Sequence, residues 1–284
     1  MFSFNSAFLL DRIESSVMSD RLTTKEYWAR ACRGVKLPKI TKPENDVCNI
    51  LETFLPKSSE ISFIEIGCAP GGWMAFFNRH FGYSVSGIEY VDELVAITQQ
   101  NMGMQGIHAD ILNLDFFQAD LTPDSYDVVF SGGFIEHFED LNVVVSRIAM
   151  LSRKFVITTV PNLYGLNGFV SRVVRPKVFY SHNRIEKKLL RNLHEESGIE
   201  TLFCNYVGGL QLPMLSEAAF FDEKKRFIKH VNLPFRCFNL ISRTISKYTN
   251  VYPRTRFMSA HLMYIGRKRV GSVVEAKLSG SETK

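Results

Sequence analysis

The segment at residues 131–137 (SGGFIEH) holds the side chains best suited to acid–base chemistry, Glu136 and His137. An imidazole titrates near neutral pH, so His137 could act as a general base and remove the proton from a hydroxyl group. Glu136 could tune the site or bind a substrate hydroxyl. His182, in a polar loop at residues 180–184, is a second candidate for a substrate pocket. A structural role is the alternative for both histidines.

A glycine-rich turn at residues 63–73 (FIEIGCAPGGW) is the second segment with the composition of a binding site. Gly67 permits a sharp bend after an apolar strand, while Gly71 and Gly72 allow a ligand to approach the backbone and the next helix to pack closely. A tight strand-to-helix turn without a ligand is the alternative, because many unrelated turns share this composition.

Three acidic residues, Glu65, Glu89 and Asp110, are predicted at or near the carboxyl ends of successive strands. Glu89 follows the glycine turn by about 20 residues, where a carboxylate can accept hydrogen bonds from both hydroxyls of a ribose. In an open α/β sheet this edge binds the ligand. The sequence therefore predicts a nucleoside-binding site at the strand ends.

Strands and helices alternate through the first half of the chain and must position these side chains. Strands are predicted at 61–66, 84–89, 106–109, 126–130 and 155–160, with helices at 73–80, 92–102 and 141–152 between them. Gly103 is expected to end the second of these helices, and Thr41 with Glu44 has the spacing of a capping box. Residues 163–177 are predicted as a loop. Near-continuous apolar strands indicate a parallel sheet covered on both faces.

The glycine turn resembles the first motif of the class I S-adenosylmethionine-dependent methyltransferases, E/D-x-G-x-G-x-G, although Ala69 replaces its middle glycine. Alanine is acceptable there if its φ is negative, and it disfavours a dinucleotide more than S-adenosylmethionine. The resemblance implies that Glu89 binds the ribose and that Asp110 with Ile111 contacts the adenine. The cofactor contacts that it implies are Glu65, Gly67, Cys68, Ala69, Gly71, Gly72, Glu89, Tyr90, Asp110, Ile111 and Ser131.

The same resemblance implies an α/β, Rossmann-like fold, with a seven-stranded, mostly parallel sheet, a reversed last strand and helices on both faces. The expected organisation is a helical N-terminal arm (1–40), a methyltransferase domain (41–270) with a lid insertion at about 211–256, and a flexible tail (271–284). In the insertion Phe238, Ile241 and Ile245 share one helical face. This basic, amphipathic segment is expected to cover the substrate with its apolar face; contact with an anionic membrane surface is the alternative.

Composition limits the class and location of the protein. The net charge of +5 is too low for a dedicated nucleic-acid coat. The five cysteines form no CxxC pair, so no metal site is predicted. The N-terminus does not have the pattern of a signal peptide, and no apolar run is long enough to span a bilayer. A cytoplasmic protein is expected, with peripheral contact to the inner membrane face as an option.

The glutamate–histidine pair after the fourth strand resembles small-molecule methyltransferases of the sugar and quinone types. We therefore predict an S-adenosylmethionine-dependent enzyme that O-methylates a small hydroxylated acceptor, such as a sugar or glycan precursor. A quinol or phenol O-methyltransferase, an RNA methyltransferase and a non-catalytic S-adenosylmethionine-binding protein are the alternatives. The RNA alternative is weakened because 131–133 and 158–160 lack the aspartate and lysine that ribose methyltransferases carry there.

Overall fold

A single seven-stranded sheet organises the chain in the computed structural model, which describes residues 21–31, 43–118, 121–212 and 232–269. The strands are β1 (Ser62–Ile66), β2 (Ser84–Glu89), β3 (Ala109–Asn113), β4 (Tyr126–Gly132), β5 (Ser152–Pro161), β6 (Ile199–Val207) and β7 (His261–Lys268). Their order is β3-β2-β1-β4-β5-β7-β6, and β7 runs antiparallel to β5 and β6 while the remaining pairs are parallel. The predicted sheet with a reversed last strand is confirmed.

Helices cover both faces of this sheet and enclose two apolar cores. The helices are α1 (Lys25–Ala31), α2 (Asn45–Phe54), α3 (Gly72–Phe81), α4 (Asp92–Met104), α5 (Leu141–Leu151), α6 (Gly165–Val174), α7 (Pro176–Tyr180), α8 (Lys187–Glu196) and α9 (Leu233–Thr249). Side chains of α2 and α3 form one core with the sheet, and those of α5 and α8 form the other. Because strand residues alternate between faces, Phe63 enters the first core and Ile64 the second.

The third strand begins later than the sequence predicts, and this shift matters for the site. The helix before it continues to Met104, so Gly103 lies inside α4 instead of ending it. Gly106 has the left-handed conformation that ends a helix, with φ of +66°, and residues 106–108, where a strand was predicted, come before the strand. The strand itself is Ala109–Asn113.

Glu44 has a different role from the predicted capping box. It is the N-cap of α2 rather than the third helical residue, and its side chain does not cap the helix. Its carboxylate instead accepts a hydrogen bond from the backbone N–H of Gly209 at 2.7 Å and another from Gln211. Thr41 lies outside the described residues. The helix ends at Phe54, two residues before Pro56.

The α9 helix packs its polar face against the domain, whereas the expected lid would cover the substrate with its apolar face. Its polar face contacts the domain: Asn239 hydrogen-bonds Leu212, Ser242 donates to the carbonyl of Leu210, and Ser246 is buried. In the part of the chain that the structure describes, the apolar face is exposed, including Phe238, Leu240, Ile241 and Ile245. Asn239 and Ser242 find backbone partners on the domain, so the expected apolar cover over the substrate is wrong for this helix.

The segment at 163–177, predicted as a loop, instead forms α6 and the start of α7. Gly168 allows the tight approach of α6, because a Cβ there would lie 2.1 Å from the carbonyl oxygen of Leu163. The N-terminal arm is described only over 21–31, and the predicted tail lies outside the described residues. None of the described helices combines the length and the apolar character needed to cross a membrane.

Candidate active site

The turn after β1 lies at the carboxyl edge of the sheet, as predicted. The N–H groups of Gly67 and Cys68 both donate to the carbonyl of Ile88, at 2.9 and 3.1 Å, which joins the turn to the end of β2. Gly67 has a φ of +70° and Gly71 one of +96°, so both use backbone conformations that favour glycine. A Cβ on Gly71 would lie 2.6 Å from the Met102 methyl group, so this glycine permits packing against α4.

A cleft opens between this turn and the end of β4. Its lining residues are Arg21, Thr23, Trp28, Gly67, Ala69, Glu89, Tyr90, Leu94, Gly132, Gly133, Phe134, His137 and Phe138. The cleft thus brings together four of the predicted cofactor residues, Gly67, Ala69, Glu89 and Tyr90, with His137. Ala69 is not among the residues with positive φ, so its replacement of glycine costs no backbone strain.

Glu89 supplies the buried carboxylate of this cleft. It ends β2, and its Oε1 accepts a hydrogen bond from the N–H of Val91 at 3.0 Å. Burial raises the pKa of Glu89 against the lowering effect of neighbouring backbone N–H groups. A carboxylate held in this way keeps acceptor positions for the hydroxyls of a bound sugar.

Three other predicted cofactor residues are buried near the turn: Glu65, Cys68 and Ser131. Glu65 is fully enclosed and accepts a hydrogen bond from the N–H of Met74 at 3.2 Å, in the first turn of α3. Burial, reinforced by Glu89, raises the pKa of Glu65 well above its usual range. The Cys68 side chain points into the core, where a Cβ on Gly87 would lie 2.5 Å from its sulfur. Ser131 is also buried, with its hydroxyl oxygen unpaired among the described atoms.

Asp110 does not lie at the strand end where the adenine was expected. It is the second residue of β3, is exposed, and pairs with Ser86 in the middle of β2. Ile111 follows it and packs against the core beneath the sheet. The predicted adenine contacts of Asp110 and Ile111 assumed that Asp110 lies at the end of β3. That assumption is wrong, because the strand starts three residues later than predicted.

Asn113 and Asp115 lie at the β3 end instead. Asn113 is paired in register with Glu89, and the carboxylate of Asp115 accepts a hydrogen bond from the N–H of Phe117 at 2.9 Å. Asp115 also forms an ion pair with Arg21, which lines the cleft.

The described part of the N-terminal arm lies across the cleft, which the sequence analysis missed. The N–H of Leu22 donates to the carbonyl of His137 at 2.9 Å, and the guanidinium of Arg21 lies 4.5 Å from the ring centre of Tyr90. Trp28 donates its indole N–H to Thr23 at 3.1 Å and packs edge-on against His137. The only sequence signal was the aromatic content of this segment.

A second cavity, of about 590 Å³, adjoins the cleft. The two share Trp28, Gly132, Gly133 and His137. Further lining residues are Tyr27, Glu44, Trp73, Glu136, Thr159, Leu163, Arg175, His182, Gln211 and Arg243. This volume lies within the range of small-molecule sites, which span about 300–1,000 Å³.

All three predicted acceptor-side residues meet in this second cavity. Glu136 and His137 lie on a single 3₁₀ turn after β4, with the Glu136 Oε1 and His137 Nε2 atoms 4.0 Å apart. The His137 and His182 ring centres are 4.2 Å apart. Asn183 joins the two segments, because its backbone N–H donates to the Glu136 carbonyl at 2.8 Å.

Burial controls the electrostatics of this group. It raises the pKa of Glu136 to about 8, and together with the neighbouring His182 it lowers the pKa of His137 to about 3. The imidazole of His137 is therefore neutral at physiological pH. Oε2 of Glu136 and Nδ1 of His137 are buried and have no hydrogen-bond partner among the described residues. Unpaired buried polar atoms are costly, so this arrangement fits a polar ligand in the cavity.

Residues 63–154 match the family model described as a methyltransferase domain. This match covers 92 of the 284 residues. The matched region runs from β1 into β5, so it includes the glycine turn, the end of β2 and the Glu136–His137 pair. Among curated proteins, none matches this chain.

Solved structures share the fold at low sequence identity. YcgJ from Bacillus subtilis has a TM-score of 0.53 and 15% identity, covering 79% of this chain and 98% of its own. Phosphoethanolamine N-methyltransferase 2 from Haemonchus contortus, solved with S-adenosylhomocysteine, has a TM-score of 0.51 and 16% identity, covering 78% and 52%. The [4+2]-cyclase SpnF has a TM-score of 0.51 and 11% identity, covering 79% and 80%. These likenesses show the fold and leave the reaction and acceptor open.

The match to a methyltransferase model agrees with the cofactor predicted from the sequence, S-adenosylmethionine. The cleft fits such a molecule in two respects. Glu89 presents a buried carboxylate of the kind that binds a ribose diol. Gly67 keeps the cleft open, because a Cβ at this position would lie 3.0 Å from the Phe134 ring.

Proposed function

We propose that this protein transfers the methyl group of S-adenosylmethionine to a hydroxyl oxygen of a small acceptor, such as a sugar or glycan precursor. The observation that carries this proposal is the second cavity, which adjoins the cofactor cleft and contains the side chains of Glu136, His137 and His182. Residues 132–133 line both the cofactor cleft and the second cavity, so an acceptor in the cavity can reach the cofactor there.

The reaction needs alignment and the removal of one proton. S-adenosylmethionine supplies an electrophilic methyl group on a sulfonium when it is bound. The acceptor oxygen bonds to the methyl carbon as the bond from carbon to sulfur breaks, and the hydroxyl proton passes to the neutral imidazole of His137 and then to water. Burial makes His137 a weak base. The proton therefore has to leave the hydroxyl in the same step as methyl transfer and not before it. Glu136 accepts a hydrogen bond from the acceptor.

The lining of the second cavity suits a polyhydroxylated acceptor with an anionic group. Gln211 and His182 offer hydrogen-bonding groups, while the guanidinium groups of Arg175 and Arg243 favour an acceptor that carries phosphate. The indole of Trp28 supplies a flat apolar surface on which a sugar ring can pack.

A quinol or phenol is the second candidate acceptor. The aromatic side chains of Tyr27, Trp28 and Trp73 line the same cavity and could pack against a planar ring. A phenolic oxygen loses its proton more easily than an alcohol, so such an acceptor would depend less on His137.

Incubation of the purified chain with radiolabelled S-adenosylmethionine and a panel of acceptors tests the proposal. The panel contains nucleotide-linked sugars, lipid-linked sugars, simple phenols, quinols and bulk RNA, and mass spectrometry identifies the methylated atom. We expect an O-methylated sugar product. Transfer only to RNA, or cofactor binding by calorimetry with no transfer to any acceptor, would contradict the proposal and support the corresponding alternative.

Peripheral membrane contact is a refinement that the α9 helix supports. Leu240, Ile241 and Ile245 are exposed on a helix that also carries Arg236 and Lys247. Basic, amphipathic helices bind anionic lipid surfaces. We expect the chain to float with anionic vesicles and Ile241→Glu to reduce this, with neutral vesicles as the control; no co-migration with anionic vesicles would remove this refinement.

A further inference from the structure

We infer that Glu136, His137 and His182 bind one divalent transition-metal ion between the cofactor cleft and the second cavity. No metal site was predicted from the sequence, because the cysteines form no CxxC pair. The role that we assign to the ion rests on the proposed function, whereas its binding does not.

The three side chains converge on one point. Each offers a ligand atom, and these atoms all lie within 4.8 Å of one another. An ion with ligand distances of about 2.0–2.2 Å needs its ligand atoms roughly 3–3.5 Å apart, so a contraction of about 1 Å completes the site. His182 is half-buried in the loop between α7 and α8, where such a movement requires no change in the sheet.

Two unpaired polar atoms point independently to a ligand. Glu136 is 1% exposed and His137 is 4% exposed, yet Oε2 of the first and Nδ1 of the second have no hydrogen-bond partner in the described part of the chain. Oε1 of Glu136 lies 4.0 Å from Nε2 of the neutral His137, and no arginine or lysine pairs with Glu136 among the described residues. The charged form of this carboxyl group is costly to enclose without an arginine or lysine partner, and a bound cation would offset that cost.

The donor set determines which ions fit. Two imidazoles and one carboxylate suit Zn²⁺, Co²⁺, Fe²⁺ or Mn²⁺, and three protein ligands leave coordination positions open. Because all three residues line the second cavity, an acceptor hydroxyl in the cavity could occupy one of these positions.

A metal-bound hydroxyl loses its proton far more readily than a free one, just as the pKa of water falls to about 7 when the water binds a metal ion. In the metal-bound enzyme the acceptor proton therefore passes to water. The oxygen lone pair then forms the bond to the methyl carbon, and the sulfur keeps the electron pair of the broken bond. His137 acts as a ligand in this form, so the ion replaces it as the group that activates the hydroxyl.

Metal titration of the full-length, tag-free and chelator-treated protein tests the site. Co²⁺ is added while its visible absorption is recorded, and equilibrium dialysis with Zn²⁺ gives the stoichiometry. We expect one ion per chain, and a loss of affinity of at least about 100-fold in His182→Gln and in His137→Gln, since even outer-shell changes cost 10–100-fold.

His80→Gln is the matched control. His80 also lies beside a glutamate, with its Nε2 atom 2.7 Å from Oε1 of Glu52, but this pair is on the surface. We expect the control to bind Co²⁺ like the parent protein. Equal binding by the parent, His137→Gln and His182→Gln would overturn the inference, as would the absence of any bound ion.

Cofactor binding, measured by calorimetry on the same samples, separates the two hypotheses and reports folding of the variants. A protein that binds S-adenosylmethionine but no ion overturns the metal site alone. A protein that binds the ion but not S-adenosylmethionine overturns the proposed function alone. Turnover that is lost on chelation and restored by the metal supports the assigned role, and full turnover of the metal-free protein overturns it.

Discussion

The pKa values of the carboxyl groups shift in opposite directions at the two edges of the sheet. At the amino edge, Asp127 accepts hydrogen bonds from the backbone N–H and the hydroxyl of Ser62, both at 3.0 Å, and pairs with Arg153 and Lys154. Burial alone would raise its pKa, but these partners outweigh it and lower the pKa of Asp127 to about 2. At the carboxyl edge, burial raises the pKa values of Glu89 and Glu136.

This contrast separates stability from function. A carboxylate with cationic partners stabilises the fold, because its charge is more favourable in the folded chain than in the unfolded chain. A buried carboxylate without such partners costs stability and is retained where a ligand will supply the missing contacts. Substitutions at the carboxyl edge should therefore change turnover and binding, and those at the amino edge should change the free energy of unfolding.

His137→Ala gives the largest expected effect. Turnover should fall about 10²-fold or more, because the hydroxyl loses the group that activates it, whether as a base or through a metal ion. The Kd for S-adenosylmethionine should stay within a few-fold of that of the parent protein. Steady-state kinetics and calorimetry measure the two quantities. Unchanged turnover would show that this histidine is structural.

Glu89→Gln should weaken the binding of S-adenosylmethionine by about 10- to 100-fold, because hydrogen bonds to a charged group contribute about 1.5–3 kcal/mol. Asp110→Asn is the control, since the exposed Asp110 lies in the middle of the strand ladder. Calorimetry on both variants decides between the two carboxylates. A larger loss in the Asp110 variant would restore the original assignment of the adenine contact.

Asp127→Asn should cost about 2 kcal/mol of unfolding free energy at pH 7, from a pKa lowered from 3.8 to about 2. This stabilisation is present above the unfolded pKa of 3.8 and is lost as the pH falls through the folded value of about 2. Urea unfolding at pH 7 and at pH 3 should therefore show a smaller difference between variant and parent at the lower pH. A difference that grows on acidification would exclude this origin of the stability.

Arg153→Gln should have the smallest effect, below about 1 kcal/mol, because exposed ion pairs contribute little. The side chain of Arg153 is 46% exposed, and Lys154 still contacts Asp127 at 3.1 Å. Urea unfolding at low and high salt measures the effect, which should shrink as salt screens the pair. An effect larger than that of Asp127→Asn would show that the arginine acts through other contacts.

Local patterns predicted the sheet and the turn well. The apolar runs of β1, β2 and β4 and the bend at Gly67 depend on neighbouring residues alone, so hydrophobic periodicity and backbone sterics identify them. The β3 strand was predicted too early in the chain, because either Gly103 or Gly106 could end the preceding helix. Only Gly106 has the left-handed conformation that ends it.

Contacts between distant segments were beyond reach of the sequence analysis. Nothing in the local sequence indicates that Trp28 packs on His137, or that the polar face of α9 docks on residues 210–212. An amphipathic pattern identifies the two faces of a helix, but the partners available to each face decide which one is buried. For α9 the partners are backbone groups, which bind polar side chains.

The sequence by itself determined that strands alternate with helices, that a glycine turn follows the first strand, and that Glu136 and His137 follow the fourth. These features arise from interactions within a few residues. The tertiary structure alone decided that His182 meets this pair, that Asp110 lies away from the strand ends, and that burial shifts the pKa values of Glu136 and His137 in opposite directions. Burial depends on which segments pack together, and packing is a property of the whole fold.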